Sequence, residues 1–233
     1  MGLDLERVLL WYGAFLASTV LHEAAHAWVA FRLGDPTAYH GGQVSLDPRA
    51  HVRREPIGTV VVPLLSLAGG GMMLGWASAP YDPVWAMRSP RRAAAMALAG
   101  PLANLLLVLL AAIAIRAGVA AGVFGPPAAL APAGLAVGHG AWAAAATLLS
   151  VLFTLNLTLA VLNLLPVPPL DGGGAVPLLL PEEAGRTWRR LTLGSPVFAA
   201  LGLLLAFQVV GPAMRRLFLA AANLLWSGTA AYG

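Results

Sequence analysis

Apolar residues along this chain gather into long stretches separated by short polar segments. The first stretch covers about 8–31, and a polar segment follows at 32–56. A second apolar stretch, 57–79, is interrupted by Pro63 and by Gly69-Gly70-Gly71. The clearest is 93–115, which holds AGPLANLLLVLL; another spans 142–165, and one or two more lie between 195 and 227. Runs of about 20 apolar residues are long enough to cross a bilayer as helices. The pattern predicts an all-α integral membrane protein, a polytopic helical bundle with about four to six membrane segments. Alternation appears at one place, AYHGGQVSLD at 38–47, where Gln43, Ser45 and Asp47 alternate with Val44 and Leu46. That alternation predicts a small membrane-associated β-hairpin with an exposed edge.

Composition strengthens the membrane reading. Hydrophobic residues make up 59% of the 233 and charged residues only 10%, against about a quarter charged in soluble domains. The net charge of +4 raises nucleic-acid binding as a possibility, but every basic residue is an arginine between apolar runs. Positive charge beside membrane spans is topology information, so the chain is not expected to bind nucleic acid. The absence of cysteine removes disulfides, thiolate zinc sites and Cys nucleophiles together. The start, MGLDLERVLLWYG, has acids before its apolar run and no small-residue cleavage site, so it does not read as a signal peptide. Glu6 stands where N-myristoylation needs Ser or Thr. Trp11, Trp28, Trp76, Trp85, Trp142 and Trp226 fall near the ends of the runs, where indole rings settle at a membrane interface. No repeat and no dividing linker appears, which predicts one membrane domain over 1–233.

Candidate chemistry starts inside the first span. His22-Glu23-Ala24-Ala25-His26 fits HExxH. Residues four apart share a helix face, so both imidazoles can bind one cation with Glu23 beside it. Chance supplies roughly 0.002 such motifs in a chain of this composition, and ionisable groups within a span are costly unless paired or metal-bound. A hydrolytic metal site needs a third protein ligand and an open position for water. Asp4 and Glu6 precede the first span, Asp35, Asp47, Glu55 and Asp82 lie in polar loops, and His40, His51 and His139 sit in loops or at interfaces. Asp171 differs from them, because it stands at the end of a span in NLLPVPPLDGG, 163–173. Pro166, Pro168 and Pro169 keep that chain from being helical, and irregular backbone at membrane depth needs protein or a watery cavity around it. The same residues also fit an ordinary exit turn with a capping Asp.

Together these stretches resemble the site-2 protease family of intramembrane zinc metalloproteases. LHEAAH resembles its first motif, NLLPVPPLDGG its second, and AGPLANLLL at 99–107 its GPxxN element. SLDPRAHVRREPIGT, 45–59, and GWASAPYDP, 75–83, resemble loops of the small bacterial and archaeal branch that lacks a PDZ domain. The resemblance implies a metalloprotease core over about 8–175, followed by additional membrane segments at about 195–227. It implies one Zn²⁺ ion held by His22, His26 and Asp171, with Glu23 as general base. Asn163, eight residues before the aspartate, would hydrogen-bond the scissile carbonyl or its oxyanion. The implied partners are the lipid bilayer and a membrane protein with a transmembrane segment, cut within or near that segment. Two His and one carboxylate can also hold iron or manganese. The chain departs from the branch at HVRREP, where a compact His-Ile-Asp-Pro is common, and at Gly174-Ala175, where an arginine or histidine is common. Both departures bear on substrate handling rather than on the ligands.

Sharing one metal places a geometric demand on the topology. His22, His26 and Asp171 must lie at one depth, so an odd number of full crossings separates their spans. The candidates between them are 57–79 and 93–115. With its proline and glycines, 57–79 is therefore expected to be re-entrant. Segments 32–56, 80–92 and 166–194 then share one side and hold ten of the fourteen arginines, which marks that side as cytoplasmic. The implied location is a prokaryotic cell membrane. Arg215 and Arg216 fit less well, and a re-entrant C-terminal hairpin would accommodate them. A substrate helix must unwind before cleavage, and strand addition would satisfy its freed backbone; Gln43, Val44 and Ser45 are the candidate substrate-binding edge. Asn104, near Gly100, reads as a site of close helix packing and an interhelical hydrogen bond. The competing class is a catalytically silent metal-binding membrane scaffold or a transporter. A transporter would spread ionisable groups through several spans and show internal symmetry, and here they collect at one point.

Overall fold

The computed structural model describes residues 5–70, 73–228 and 230–232. Helix α1 (Leu5–Arg32) carries the first apolar run and ends where Gly34 turns the chain at φ 103°. The Asp35 carboxylate then accepts from the Thr37 amide and hydroxyl and from the Asp82 amide, which ties two loops together. That turn starts a short helix, α2 (Thr37–His40), and the Gln43 amide closes back onto Ala38 O. The hairpin expected at 38–47 therefore does not form. The alternating residues follow a helical turn whose backbone groups are satisfied locally, and 41–47 contains no strand. Helix α3 (Pro48–Arg54) follows, capped by Asp47.

The 57–79 segment behaves as the parity argument requires. A π-helical turn, Ile57–Val61, leads into α4 (Val62–Gly70). Together they are too short to cross about 30 Å of hydrocarbon. Residues 73–82 return in extended form along the same path. The Leu74 amide donates to Ser66 Oγ and the Trp76 amide to Gly58 O. Gly58 and Gly75 permit this approach, since a methyl at Gly75 would overlap Gly58 O and one at Gly58 would overlap Trp76 O. The segment enters and leaves at the same end of the bundle. Of the three glycines expected to bend it, Gly71 lies outside the described residues.

Helix α5 (Pro83–Arg88), capped by Asp82, precedes the 31-residue helix α6 (Pro90–Ala120). The uncharged segment after α6 does not cross. It forms the small antiparallel sheet of β1 (Phe124–Gly125) and β2 (Val137–Gly138) and covers one end of the bundle. Ser150 Oγ accepts the Leu135 and Ala136 amides there, and Trp226 Nε1 donates to Leu135 O. Helix α7 (Ala143–Asn163) then returns to the opposite end, where the proline segment stops it. Three helices complete the described chain: α8 (Asp171–Ala175), α9 (Glu182–Thr192) and α10 (Pro196–Leu225).

Among the described residues, four helices reach membrane-spanning length: α1, α6, α7 with its preceding turn, and α10. Among the described residues, α6 is the one helix of spanning length between α1 and α7, so those two run parallel. A re-entrant C-terminal hairpin, which would have accommodated Arg215 and Arg216, does not form: α10 is one continuous 30-residue helix. At 1.5 Å per residue the arginines lie about 30 Å from its start, enough to place them at the far interface. Trp11 and Trp226 also depart from the interfacial expectation. They are buried in two apolar clusters, Trp11 with Phe15 and Leu155, Trp226 with Ile115, Phe124 and Phe153.

Candidate metal centre

Helix α1 presents Ser18, His22 and His26 at four-residue spacing on its buried face. Helix α6 packs against that face, and α8 brings Asp171 to the same place from beyond α7. His22 Nε2 lies 3.0 Å from His26 Nε2 and 3.1 Å from Asp171 Oδ2, and His26 Nε2 lies 3.3 Å from that oxygen. Both imidazoles are buried, as is Glu23, whose Oε1 is 4.0 Å from His22 Nε2.

The donors at this point have the properties of a cation site. His26 Nδ1 is 2.8 Å from Met96 O, a carbonyl that only accepts. The proton therefore sits on Nδ1 and the Nε2 lone pair faces Asp171. His22 Nδ1 makes a matching 2.6 Å bond to Asn104 Oδ1. Asp171 Oδ2 is buried and accepts no hydrogen bond. With both rings neutral, three lone pairs face one another, which is repulsive unless a cation, either a proton or a metal ion, occupies the centre. Ligand atoms on a tetrahedral zinc at about 2.0–2.1 Å stand roughly 3.3 Å apart, close to the spacing observed. Gly100 supplies the space, since a methyl there would overlap both imidazoles. Among the described residues, His22, His26 and Asp171 are the group able to hold a metal ion.

A cavity of about 310 Å³ opens from this centre, lined by Glu23, His26, Asp171, Ser78, Tyr81 and Arg189 among others. Burial pushes the Tyr81 hydroxyl above its ordinary pKa and the Arg189 guanidinium below its own, each partly offset by the other. Helix α9 fixes the floor. Trp188 Nε1 donates to Gly173 O, and Arg189 Nη2 to Gly174 O and Pro90 O.

The same chemistry is matched in sequence space, where residues 11–205 match the family model of peptidase family M50. The chain belongs to peptidase family M50. The resemblance to site-2 proteases drawn from its motifs therefore stands. "Putative zinc metalloprotease Rip2" of Mycobacterium tuberculosis is 37% identical over 194 residues, 83% of this chain and 64% of that relative. This M50 chain thus spans less than two thirds of that relative's length. "Putative zinc metalloprotease YwhC" of Bacillus subtilis is 34% identical over 171 residues, 71% of this chain and 67% of that protein. The Mycolicibacterium smegmatis protein named as Rip2 is 31% identical over 223 residues, 92% and 74% of the two chains. No solved structure matches the chain.

Not every expected residue of this M50 chain reaches the centre. Asn163 ends α7 half-buried and stands outside the cavity lining. Gln43 is buried at 3% exposure, Val44 and Ser45 are half-buried, and none of the three lines the cavity. The extended residues Ala77, Ser78 and Ala79 line it instead. His40, His51 and His139 lie away from it, and His51 turns its Nε2 to Ser45 O. Asn104 makes the interhelical hydrogen bond expected of it, and the partner that the sequence did not identify is His22, a histidine of the centre. The signal was the four-residue spacing of Gly100 and Asn104, which matches that of His22 and His26.

Proposed function

We propose that this protein is an intramembrane zinc metalloprotease that hydrolyses peptide bonds within or near transmembrane segments of membrane proteins. One observation carries the reading: three lone-pair donors, 3.0–3.3 Å apart, stand beside a buried carboxylate in a cavity of a family M50 chain. His22 Nε2, His26 Nε2 and Asp171 Oδ2 would hold one zinc ion, which supplies Lewis acidity toward water and the scissile carbonyl. Glu23 takes the proton from the attacking water and delivers it to the leaving amine. Asn163, outside the cavity lining at the end of α7, would have to turn into the cleft to offer its side-chain NH₂ to the carbonyl oxygen as negative charge develops there. The cleft edge supporting an unwound substrate is Ala77–Ala79 rather than 43–45. Arg54 Nε holds Ser78 O, and the Ser78 hydroxyl donates to Glu55, so one side of this extended segment is tied down. The cleft then faces the side that holds ten of the fourteen arginines, which the charge rule makes cytoplasmic, in a prokaryotic cell membrane.

The test is zinc content by mass spectrometry in detergent-purified wild type and Asp171→Ala, with cleavage of a generic transmembrane substrate by wild type and Glu23→Gln. The expected result is about one zinc per wild-type chain, sharply less in Asp171→Ala, and no cleavage by Glu23→Gln. Undiminished zinc in Asp171→Ala would remove that ligand. Absence of both zinc and cleavage in wild type would favour a silent scaffold.

A further inference from the structure

Behind the metal centre, a line of uncharged polar side chains runs away through the apolar bundle. Asn104 Nδ2 donates to Asn156 Oδ1 at 2.7 Å. Asn156 Nδ2 donates to Leu152 O at 2.8 Å and to Ser18 Oγ at 2.9 Å, and the Ser18 hydroxyl donates to Ala14 O at 2.7 Å. All three side chains are at 0% exposure, and none of their polar atoms is left without a partner. Such a network is costly in an apolar core unless fully satisfied, so its direction is set by what each end can do.

Both far ends are backbone carbonyls, which only accept. Leu152 O therefore requires the NH₂ of Asn156 on its side, which turns Asn156 Oδ1 toward Asn104. That oxygen requires the NH₂ of Asn104, which turns Asn104 Oδ1 toward His22. An oxygen facing Nδ1 places the ring proton there and strips it from Nε2. We propose that Asn104, Asn156 and Ser18 are positioning residues that lock His22 as the Nδ1–H tautomer, so that its Nε2 lone pair faces the metal centre. His26 achieves the same state with one backbone carbonyl, Met96 O. His22 instead depends on amide groups from α6 and α7, so the tautomer of a ligand on α1 is set by the packing of three helices. The inference rests on the metal reading given above.

The experiment measures zinc affinity of the full detergent-purified chain by competition with a chromophoric chelator. Proton NMR of the Co²⁺-loaded protein accompanies it, where slowly exchanging ring N–H protons of ligand histidines appear as shifted resonances. Asn156→Leu frees Asn104 to reverse. It is expected to weaken zinc binding about 10–100-fold, the range for loss of an outer-shell partner, and to remove one of the shifted N–H resonances. Asn156→Asp, buried and neutral, keeps a carbonyl oxygen toward Asn104 and a hydroxyl toward Leu152 O, so it is expected to restore both. Thr154→Val, a buried change on α7 outside the network, is expected to alter neither. Wild-type affinity with both resonances intact in Asn156→Leu would overturn the inference and leave the metal site standing. Asn156→Asp behaving like Asn156→Leu would also overturn it, by reducing the effect to packing. A wild-type chain that binds no zinc would overturn the metal reading and this inference with it.

Discussion

Replacing Gly100 by Ala adds one methyl group at the place where α6 meets the two imidazoles. Built on the backbone, that carbon would lie 2.5 Å from His22 Nε2 and closer still to His26 Nε2. Heavy atoms in ordinary contact stand about 3.5 Å apart, so the groups must separate by about 1 Å. Metal–ligand distances tolerate about 0.2 Å. Overpacking of this kind costs about 1–3 kcal/mol, while Ala in a helix interior returns about 0.5–1 kcal/mol over Gly. The fold should therefore survive while the site is lost. At about 1.4 kcal/mol per decade, one to three kcal/mol charged to the bound state is a roughly 5–150-fold loss of zinc affinity. Gly13→Ala is the control, because it lies on α1 with nothing within 4 Å of the added carbon. Chelator competition on both variants, with helicity followed by circular dichroism, is the assay. Zinc affinity in Gly100→Ala within about threefold of wild type, less than 1 kcal/mol, would refute the placement of the metal between these rings.

Three further outcomes are expected. Asn163→Ala should retain zinc and lose about 10²–10³ in kcat, the range for one oxyanion donor; an unchanged kcat on a fully metallated variant would exclude Asn163 from the reaction. Arg54→Ala releases Ser78 O, a bond of about 0.5–1.5 kcal/mol, and should raise KM severalfold with zinc content and kcat near wild type; a fall in kcat alone would contradict a substrate-binding role for Ala77–Ala79. Zinc returned to chelator-treated protein at 100 times its Kd should stabilise it by about 2.7 kcal/mol, read as a rise in Tm, and no rise would speak against a preformed site.

The sequence carried the reactive groups but not their supports, and the difference has a physical cause. HExxH is local, because four-residue spacing alone puts His22 and His26 on one face. The re-entrant 57–79 segment was also legible, since Pro63 and the glycines opposed a full crossing and parity required their effect. Spacing shows which residues share a face, however, and not which helix faces them. Asn104, Asn156 and Ser18 belong to three helices, so their connection exists only after packing. The strand expected at 38–47 failed for the opposite reason. Asp35 and Thr37 form a local turn that overrides the alternation, and the extended edge arises at 77–79, where Gly58 and Gly75 let the returning chain lie close. Trp11 and Trp226 looked interfacial by position, but both are buried in the bundle.

The proline and glycine content around Asp171 follows from how that ligand is held. Its side chain receives no hydrogen bond at Oδ2, so the backbone has to set its position. Gly172 and Gly173 lie where a methyl would overlap Leu164, Leu165 and Val167 backbone atoms, so α8 folds directly onto the chain that leads into it. Trp188 and Arg189 hold the carbonyls of Gly173 and Gly174 from α9. On the other side, Gly202 of α10 sits so close to Pro168 O that any side chain there would displace the loop. Helix α10 otherwise buries few residues, among them Ala206, Ala222 and Leu225. Its contact with Pro168 therefore links a mostly exposed helix to the segment that carries the third ligand. The prolines prevent that segment from continuing α7, and the glycines let three elements close around it. An aspartate 145 residues from His26 in sequence thereby reaches 3.3 Å from its Nε2.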